Sequence, residues 1–187
     1  MNHKTRYHLL SSLALFILTA IFLVIFNFHN STLIFLFFGI FVGTFFLDID
    51  HIIFWFFLKP SLEESRIAQT AFKKKDFKSV LKLIKLTHRH HFNLIFHHYF
   101  FQVILVFFSF FIFTSSNNIF ASSFLLSTNL HLLIDEIADY RNDPKSLQKW
   151  LFARETKQLP VKFLKQYIII FIVLFIFLTF LLIQSQL

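Results

Sequence analysis

Five long apolar runs dominate the sequence and constrain its fold more than any other feature. The runs cover residues 7–28, 33–58, 92–114, 119–140 and 163–183. About 20 helical residues cross the roughly 30 Å hydrocarbon core of a bilayer, so each run is long enough to span it. Only 15% of the 187 residues are charged, against about a quarter in soluble domains, which argues against a soluble globular enzyme and leaves a soluble all-helical protein with a very apolar core as the alternative. We therefore predict an all-α polytopic membrane protein, a single domain with a bundle of about five transmembrane helices.

The positively charged residues indicate an orientation for these spans. All 18 Lys and Arg residues lie before the first run, between the second and third, or from Arg141 to Lys165. With five spans these segments share one side, which the positive-inside rule places in the cytoplasm. The sequence thus predicts an inner-membrane protein with its N-terminus inside and its C-terminus outside. The same distribution accounts for the formal net charge of +8 without a nucleic-acid partner.

The connection between the second and third runs, residues 59–91, is predicted to be a cytoplasmic amphipathic helical insertion. Ser61 and Glu64 have the spacing of a capping box, which indicates a helix start. Asp76 is placed to cap a second helix, in which apolar residues follow at helical spacing and lysines cover the other face. A basic amphipathic helix of this kind lies on an anionic leaflet, so membrane lipid is a predicted partner.

The two glycines of the chain, Gly39 and Gly43, form a G-x-x-x-G motif within the second run. Small residues at this spacing let two helix backbones approach closely in a membrane. The motif is compatible with packing inside one chain and with dimerisation, so it leaves the oligomeric state open.

The fourth run contains His131 and Asp135, whose i, i+4 spacing places both side chains on one helix face. Ionisable groups at membrane depth are costly and indicate a functional site by default. The pair suits two ligands of one metal ion, or a His oriented by a carboxylate. The alternative is a buried pair that only joins helices.

The second run contains three further ionisable residues, Asp48, Asp50 and His51. Asp48 and His51 are helical neighbours at i, i+3, and we predict both as metal ligands. Asp50 points about 200° away from Asp48 around the helix, and we predict it as the catalytic general base. The alternative is a broken helix end that is exposed to water.

The third run opens with a cluster of five histidines: His88, His90, His91, His97 and His98. His91 and His98 share one helix face at i, i+7, and we favour them as metal ligands. A parallel stripe of His90, Asn93 and His97 is the alternative that the sequence leaves open.

These groups fall in one layer of the bilayer. Counting about 1.5 Å per residue from the cytoplasmic ends of the spans, His51 and Asp48 lie about 12 and 16 Å deep. His98 lies about 13 Å deep, and Asp135 and His131 lie about 9 and 15 Å deep. Imidazole and carboxylate ligands, in a chain without Cys, suit zinc, manganese or iron(II). We predict one or two divalent ions, with zinc preferred, in the cytoplasmic half.

The pattern of these residues along the chain resembles that of a known family. An early His, an L-D-I-D-H stretch, a His-rich third span and an H-L-L-x-D helix follow in this order. The pattern resembles the membrane-bound metal-dependent hydrolases that include the LexA-binding, inner-membrane-associated hydrolases. The resemblance covers about residues 8–140. It implies six site residues: His8, Asp48, Asp50, His51, His131 and Asp135. Without the resemblance, His8 would be taken as an ordinary residue of the membrane interface. Leu47 stands where the family has Pro, and the third motif does not align.

The resulting hypothesis is a metal-dependent hydrolase that cleaves a phosphoester or lipid-derived substrate with metal-activated water. A metal or proton transporter or sensor is the main alternative, although the outer halves of the spans are nearly free of polar side chains. A haem protein is disfavoured by the clustered carboxylates. A non-catalytic membrane protein with a structural His/Asp network is the remaining alternative.

Overall fold

The computed structural model describes residues 3–26, 30–87, 91 and 94–186, and all regular structure in this part of the chain is helical. This confirms the predicted all-α class. In chain order the helices are α1 (His3–Ile25), α2 (Asn30–Phe46), α3 (Ile49–Ile53), α4 (Glu63–Lys73), α5 (Phe77–Thr87), α6 (Tyr99–Ser115), α7 (Ile119–Asn142), α8 (Pro144–Leu151) and α9 (Val161–Ser185). A π-helical turn, Phe54–Leu58, continues α3 directly.

Within the described residues, three helical segments are long and apolar enough to cross a membrane: Arg6–Ile25, Ser31–Leu58 and Val161–Ser185. They correspond to the first, second and fifth predicted spans, and they support membrane association. The apolar helix α6 has 17 residues, somewhat fewer than the roughly 20 that a bilayer span takes. Helix α7 is long enough, but several of its residues are polar or ionisable. The third and fourth spans therefore stay predictions.

Helix α7 is the centre of the fold, since it contacts α1, α2, α6, α8 and α9. Its most extensive contact is with α2, along a row of small hydroxyl side chains. Ser123 and Ser127 face the two glycines of α2, and the Ser127 hydroxyl donates to the Ile40 carbonyl at 2.9 Å. Small residues at such a contact allow close approach of two helices. The α2–α7 pair thereby forms the framework on which the ionisable residues are placed.

The G-x-x-x-G motif serves this internal contact. A Cβ added at Gly39 would lie 2.6 Å from the Phe120 carbonyl oxygen, and one at Gly43 would lie 2.9 Å from Ser127 Cβ. Both distances are shorter than ordinary van der Waals contacts. The sequence left open whether the motif serves packing inside one chain or dimerisation. In the structure it serves packing inside one chain.

We expect Gly43→Ala to lower the free energy of unfolding by about 1–3 kcal/mol, because overpacking a tight contact costs about that much. The added methyl group forces α2 away from the Phe124 carbonyl on α7, and backbone gives way less easily than a side chain. Thermal unfolding in detergent measures the effect. The matched control is Val42→Ile, which also adds one methylene, on a side chain that is 42% exposed. Equal unfolding temperatures for the two variants would contradict this account of the contact.

The insertion between the second and third predicted spans contains the two predicted helices, α4 and α5. Helix α4 begins at Glu63 with no side-chain cap, so the predicted capping box is wrong. Instead, Ser65 Oγ donates to the Lys59 carbonyl at 2.7 Å and holds the preceding turn. The cap by Asp76 is confirmed, because its carboxylate accepts from Ser79 N at 3.1 Å and from Ser79 Oγ at 2.6 Å. These hydrogen bonds lower the pKa of Asp76 below its ordinary value.

The insertion packs onto the end of the second span through a small apolar cluster. Ala68 of α4 and Val80 of α5 are buried against Phe54, Trp55 and Leu94. The Gln69 side chain adds a polar contact, donating to the Trp55 carbonyl at 2.8 Å. Residues of the insertion are thereby held beside the ionisable residues of α3.

Candidate metal centre

Three predicted site residues from two helices converge: His8 of α1 and both His131 and Asp135 of α7. Among the described residues they form a group whose ligand-type atoms all lie within 4.8 Å of one another. His8 Nε2 lies 3.3 Å from Asp135 Oδ1, and His131 Nε2 lies 3.2 Å from Asp135 Oδ2. The two imidazole rings stack with their centroids 4.1 Å apart. Such a buried group can hold a metal ion.

The orientation of His131 is set by the end of α2. Its Nδ1 donates to the Thr44 carbonyl at 2.6 Å. That carbonyl is available because the amide of Asp48, its ordinary helical partner, bonds the Phe45 carbonyl at 3.2 Å. Nε2 therefore faces Asp135, and in the neutral ring with its proton on Nδ1 this nitrogen would carry the lone pair that a metal ion needs. The break in the helix at residues 47–48 therefore helps to orient a ligand.

A fourth imidazole, His97, approaches the same carboxylate from the segment before α6. His97 Nε2 lies 3.7 Å from Asp135 Oδ2, and its Nδ1 lies 3.2 Å from Asp50 Oδ2. Asp50 thus contacts the ring nitrogen of His97 that is not directed at Asp135, as a carboxylate commonly contacts the second ring nitrogen of a metal-binding His. His97 belongs to the alternative stripe of the third run, and the structure places it beside the centre.

The fully buried carboxylate of Asp50 holds the segment that presents His97. It accepts hydrogen bonds from the backbone amides of Ile95, Phe96 and His97 at 3.0, 2.6 and 3.3 Å. These contacts give Asp50 a positioning role. Proton transfer by Asp50, the role predicted from the sequence, stays a prediction.

The predicted shared helix face of His91 and His98 is wrong, because α6 begins only at Tyr99. Residues 94–98 form a bend and a turn instead of a helix, since Asp50 accepts their amide hydrogens. His98 is the N-cap of α6, and its Nδ1 accepts from Phe100 N at 3.3 Å. Metal binding by His98 stays a prediction.

His51 and His91 belong to a second polar cluster next to the first. Their Nδ1 atoms are 2.7 Å apart, and His91 Nε2 lies 3.2 Å from Glu64 Oε1 of α4. The ring of His51 is 5.8 Å from that of His97, between centroids, so the two clusters are adjacent. Glu64 was missed as a site residue, because its spacing from Ser61 had assigned it to a helix cap.

Of the remaining predicted residues, only the side chain of Asp48 is described. Asp48 is half-buried at the break between α2 and α3, outside the group around Asp135. The side chains of His88, His90 and Asn93, which belong to the histidine cluster of the third run and its alternative stripe, lie outside the part of the chain that is described.

One buried acid near the centre was given no role by the sequence analysis. Glu136 follows Asp135 in α7 and is 0% exposed. The Gln102 amide lies beside its carboxylate, and the Tyr167 hydroxyl donates to Gln102 Oε1. An acidic residue directly after a predicted ligand, in an apolar run, was the signal that could have drawn attention to it.

Comparisons with known proteins add nothing to this geometry. No family model matches the sequence, no curated protein is significantly similar to it, and no solved structure matches its fold. The resemblance to the membrane-bound metal-dependent hydrolases therefore rests on the motif residues alone. The described residues define an all-helical protein that contains helices able to cross a membrane and a buried His/His/Asp group.

Proposed function

We propose that this protein is a metal-dependent hydrolase of the inner membrane, with its site in the cytoplasmic half of a bundle of five transmembrane helices. The observation that carries the proposal is the orientation of His131. Its Nδ1 proton is donated to Thr44 O, so its Nε2 faces Asp135 and the neighbouring His8. A buried pair that only joined two helices would not need the second imidazole.

The directions of the helices support five alternating spans. Helices α2 and α7 are parallel, because Gly39 faces Phe120 whereas the later Thr44 meets His131. Helices α6 and α9 are also parallel, since Gln102 meets Tyr167 at one end and the Phe110 and Phe177 rings lie 6.5 Å apart farther along. Spans two and four of a five-span protein share one direction, and spans three and five share the other.

The residues of the centre fit a divalent ion held by His8, His131 and Asp135. Two imidazoles and one carboxylate are a donor set that suits zinc, and also manganese or iron(II). A bound ion supplies a Lewis acid, which polarises a phosphoryl oxygen and acidifies a bound water. His97, with Asp50 behind it, forms an imidazole–carboxylate pair suited to receive a proton from an attacking water.

The charges at the cytoplasmic side fit an anionic substrate. Lysines and arginines are concentrated in residues 59–91 and 141–165, the segments that the proposed topology places on the cytoplasmic side. They raise the local concentration of an anionic head group at the membrane surface. A phosphoester, free or in a lipid, is therefore the proposed substrate class.

The test is removal and restoration of the metal in the purified protein. As isolated, the protein is expected to contain one or two equivalents of zinc, manganese or iron by mass spectrometry. Chelation is expected to abolish hydrolysis of bis-p-nitrophenyl phosphate and of phosphatidic acid in mixed micelles, and one of the three metals is expected to restore it. Folded protein that contains and takes up no metal would overturn the proposal.

Transport of a metal or proton is the second candidate function. It is favoured by the line of ionisable groups from Glu64, whose side chain is 24% exposed, through His91 and His51 toward the centre. Proteoliposomes that contain a pH-sensitive or zinc-sensitive dye separate the two functions. Flux without phosphoester hydrolysis would replace the hydrolase by a transporter.

A further inference from the structure

We propose that the groove between α6 and α9 binds an acyl chain of the substrate, so that the hydrolase acts on a phosphoester lipid. The inference rests on the proposed function for the chemistry of the head group. The groove itself is defined by geometry alone, and it lies outside the ionisable clusters described above.

The groove is a cavity of about 330 Å³ with an entirely apolar lining. Val103, Val106 and Phe110 line it from α6, and Phe171, Leu174 and Phe177 line it from α9. Its volume is at the lower end of the roughly 300–1,000 Å³ of small-molecule sites. The lining residues of each helix cover about two turns, or about 10 Å along the axis.

An acyl chain is the occupant that this lining fits. Helix α9 is one of the candidate membrane spans, so the groove opens toward lipid. Phenylalanines form its rim, and Phe107, Phe110 and Phe177 are 70%, 46% and 45% exposed. A polar ligand in such a groove would lose its hydrogen bonds to water without replacement, which costs several kcal/mol. An acyl chain can enter from the bilayer without leaving an apolar environment.

One end of the groove adjoins residues that border the candidate metal centre. Val103 directly follows Gln102 in α6, and Phe171 follows Tyr167 by about one turn in α9. Gln102 and Tyr167 are hydrogen-bonded to each other, and Gln102 lies beside Glu136, the residue after Asp135. The head group of a lipid whose chain occupies the groove would therefore lie at the end of the groove that adjoins Gln102 and Tyr167, on the side of the Asp135 group. This continuity distinguishes the groove from other lipid-facing surfaces of the helices.

The test is photolabelling of the 187-residue chain in nanodiscs with a phosphatidic acid that carries a diazirine in one acyl chain. Peptide mass spectrometry is expected to find the label concentrated in residues 103–110 and 171–178. The readout requires neither metal nor turnover. Equal labelling of the exposed apolar faces of α1 and α2 would show bulk lipid contact only and would overturn the proposal.

Two matched tryptophan variants on one helix sharpen the test. Leu174→Trp fills the groove, whereas Ile176→Trp adds the same side chain at a position that is 63% exposed to lipid. We expect Leu174→Trp, but not Ile176→Trp, to reduce labelling of the groove about tenfold. This is the size of effect that a steric clash between the indole ring and the acyl chain would produce. It is also expected to raise KM for a long-chain phosphatidic acid while hydrolysis of bis-p-nitrophenyl phosphate stays unchanged.

The outcomes separate this inference from the proposed function. Hydrolysis of bis-p-nitrophenyl phosphate without preferential labelling would remove the groove and leave the hydrolase. Preferential labelling without any hydrolysis would keep the lipid site and remove the hydrolase. A dimer that Leu174→Trp disrupts, together with an unlabelled groove, would show that a second copy covers it and would overturn the acyl-chain site.

Discussion

Asp135→Asn is expected to remove the bound metal and to lower phosphoester hydrolysis by more than about 100-fold. Asp135 is the carboxylate that both imidazoles of the group approach, at 3.3 Å for His8 and 3.2 Å for His131. An amide keeps the shape of the side chain but presents no negative charge to a cation. Mutation of groups that only orient metal ligands lowers metal affinity or activity by about 10- to 100-fold. Loss of a ligand itself is therefore expected to have a larger effect.

The matched control is Asp139→Asn, the same substitution one turn farther along α7. Asp139 is 8% exposed and accepts from Trp150 Nε1 at 3.1 Å, a bond that an amide oxygen also accepts. Metal content by mass spectrometry and initial rates are measured for both variants, with unfolding temperature as the check on folding. Equal metal content in the two variants would place the ion elsewhere and contradict the assignment of the centre.

Asp50→Ala is expected to lower the free energy of unfolding by at least about 3 kcal/mol. The three amides of residues 95–97 would lose their acceptor, and each buried donor left unpaired costs about 1–3 kcal/mol. His97 would also lose the carboxylate that lies 3.2 Å from its Nδ1. Chemical unfolding in mixed micelles measures the change.

Asp48→Ala is the control for this effect, because Asp48 lies two residues earlier and is only half-buried. We expect it to change stability by less than about 0.5 kcal/mol, as for most substitutions without a buried partner. Asp50→Asn separates positioning from proton transfer, since an amide oxygen still accepts backbone hydrogen bonds. A stable Asp50→Asn variant that binds metal and is inactive would favour the catalytic base predicted from the sequence.

The site shows where prediction from the sequence succeeds and where it stops. The pairing of His131 with Asp135 follows from the helical period alone, because both residues belong to one unbroken helix. The predicted helix face shared by His91 and His98 is wrong for the opposite reason. The helical period was applied to residues 91–98, where Asp50, which is 45 residues from Ile95 in sequence, holds a non-helical turn.

The sequence by itself determined the all-α class, three helices that could cross a membrane, and the i, i+4 pair of His131 and Asp135. Apolar length and helical spacing are local properties, and a lipid environment permits few other solutions. The tertiary structure decided that Gly39 and Gly43 pack against α7, that His97 faces Asp135, and that Glu64 reaches His91. Each of these contacts joins residues that are distant in sequence. Their formation depends on how closely two helices approach each other and on which hydrogen-bond donors lie within reach of a buried carboxylate.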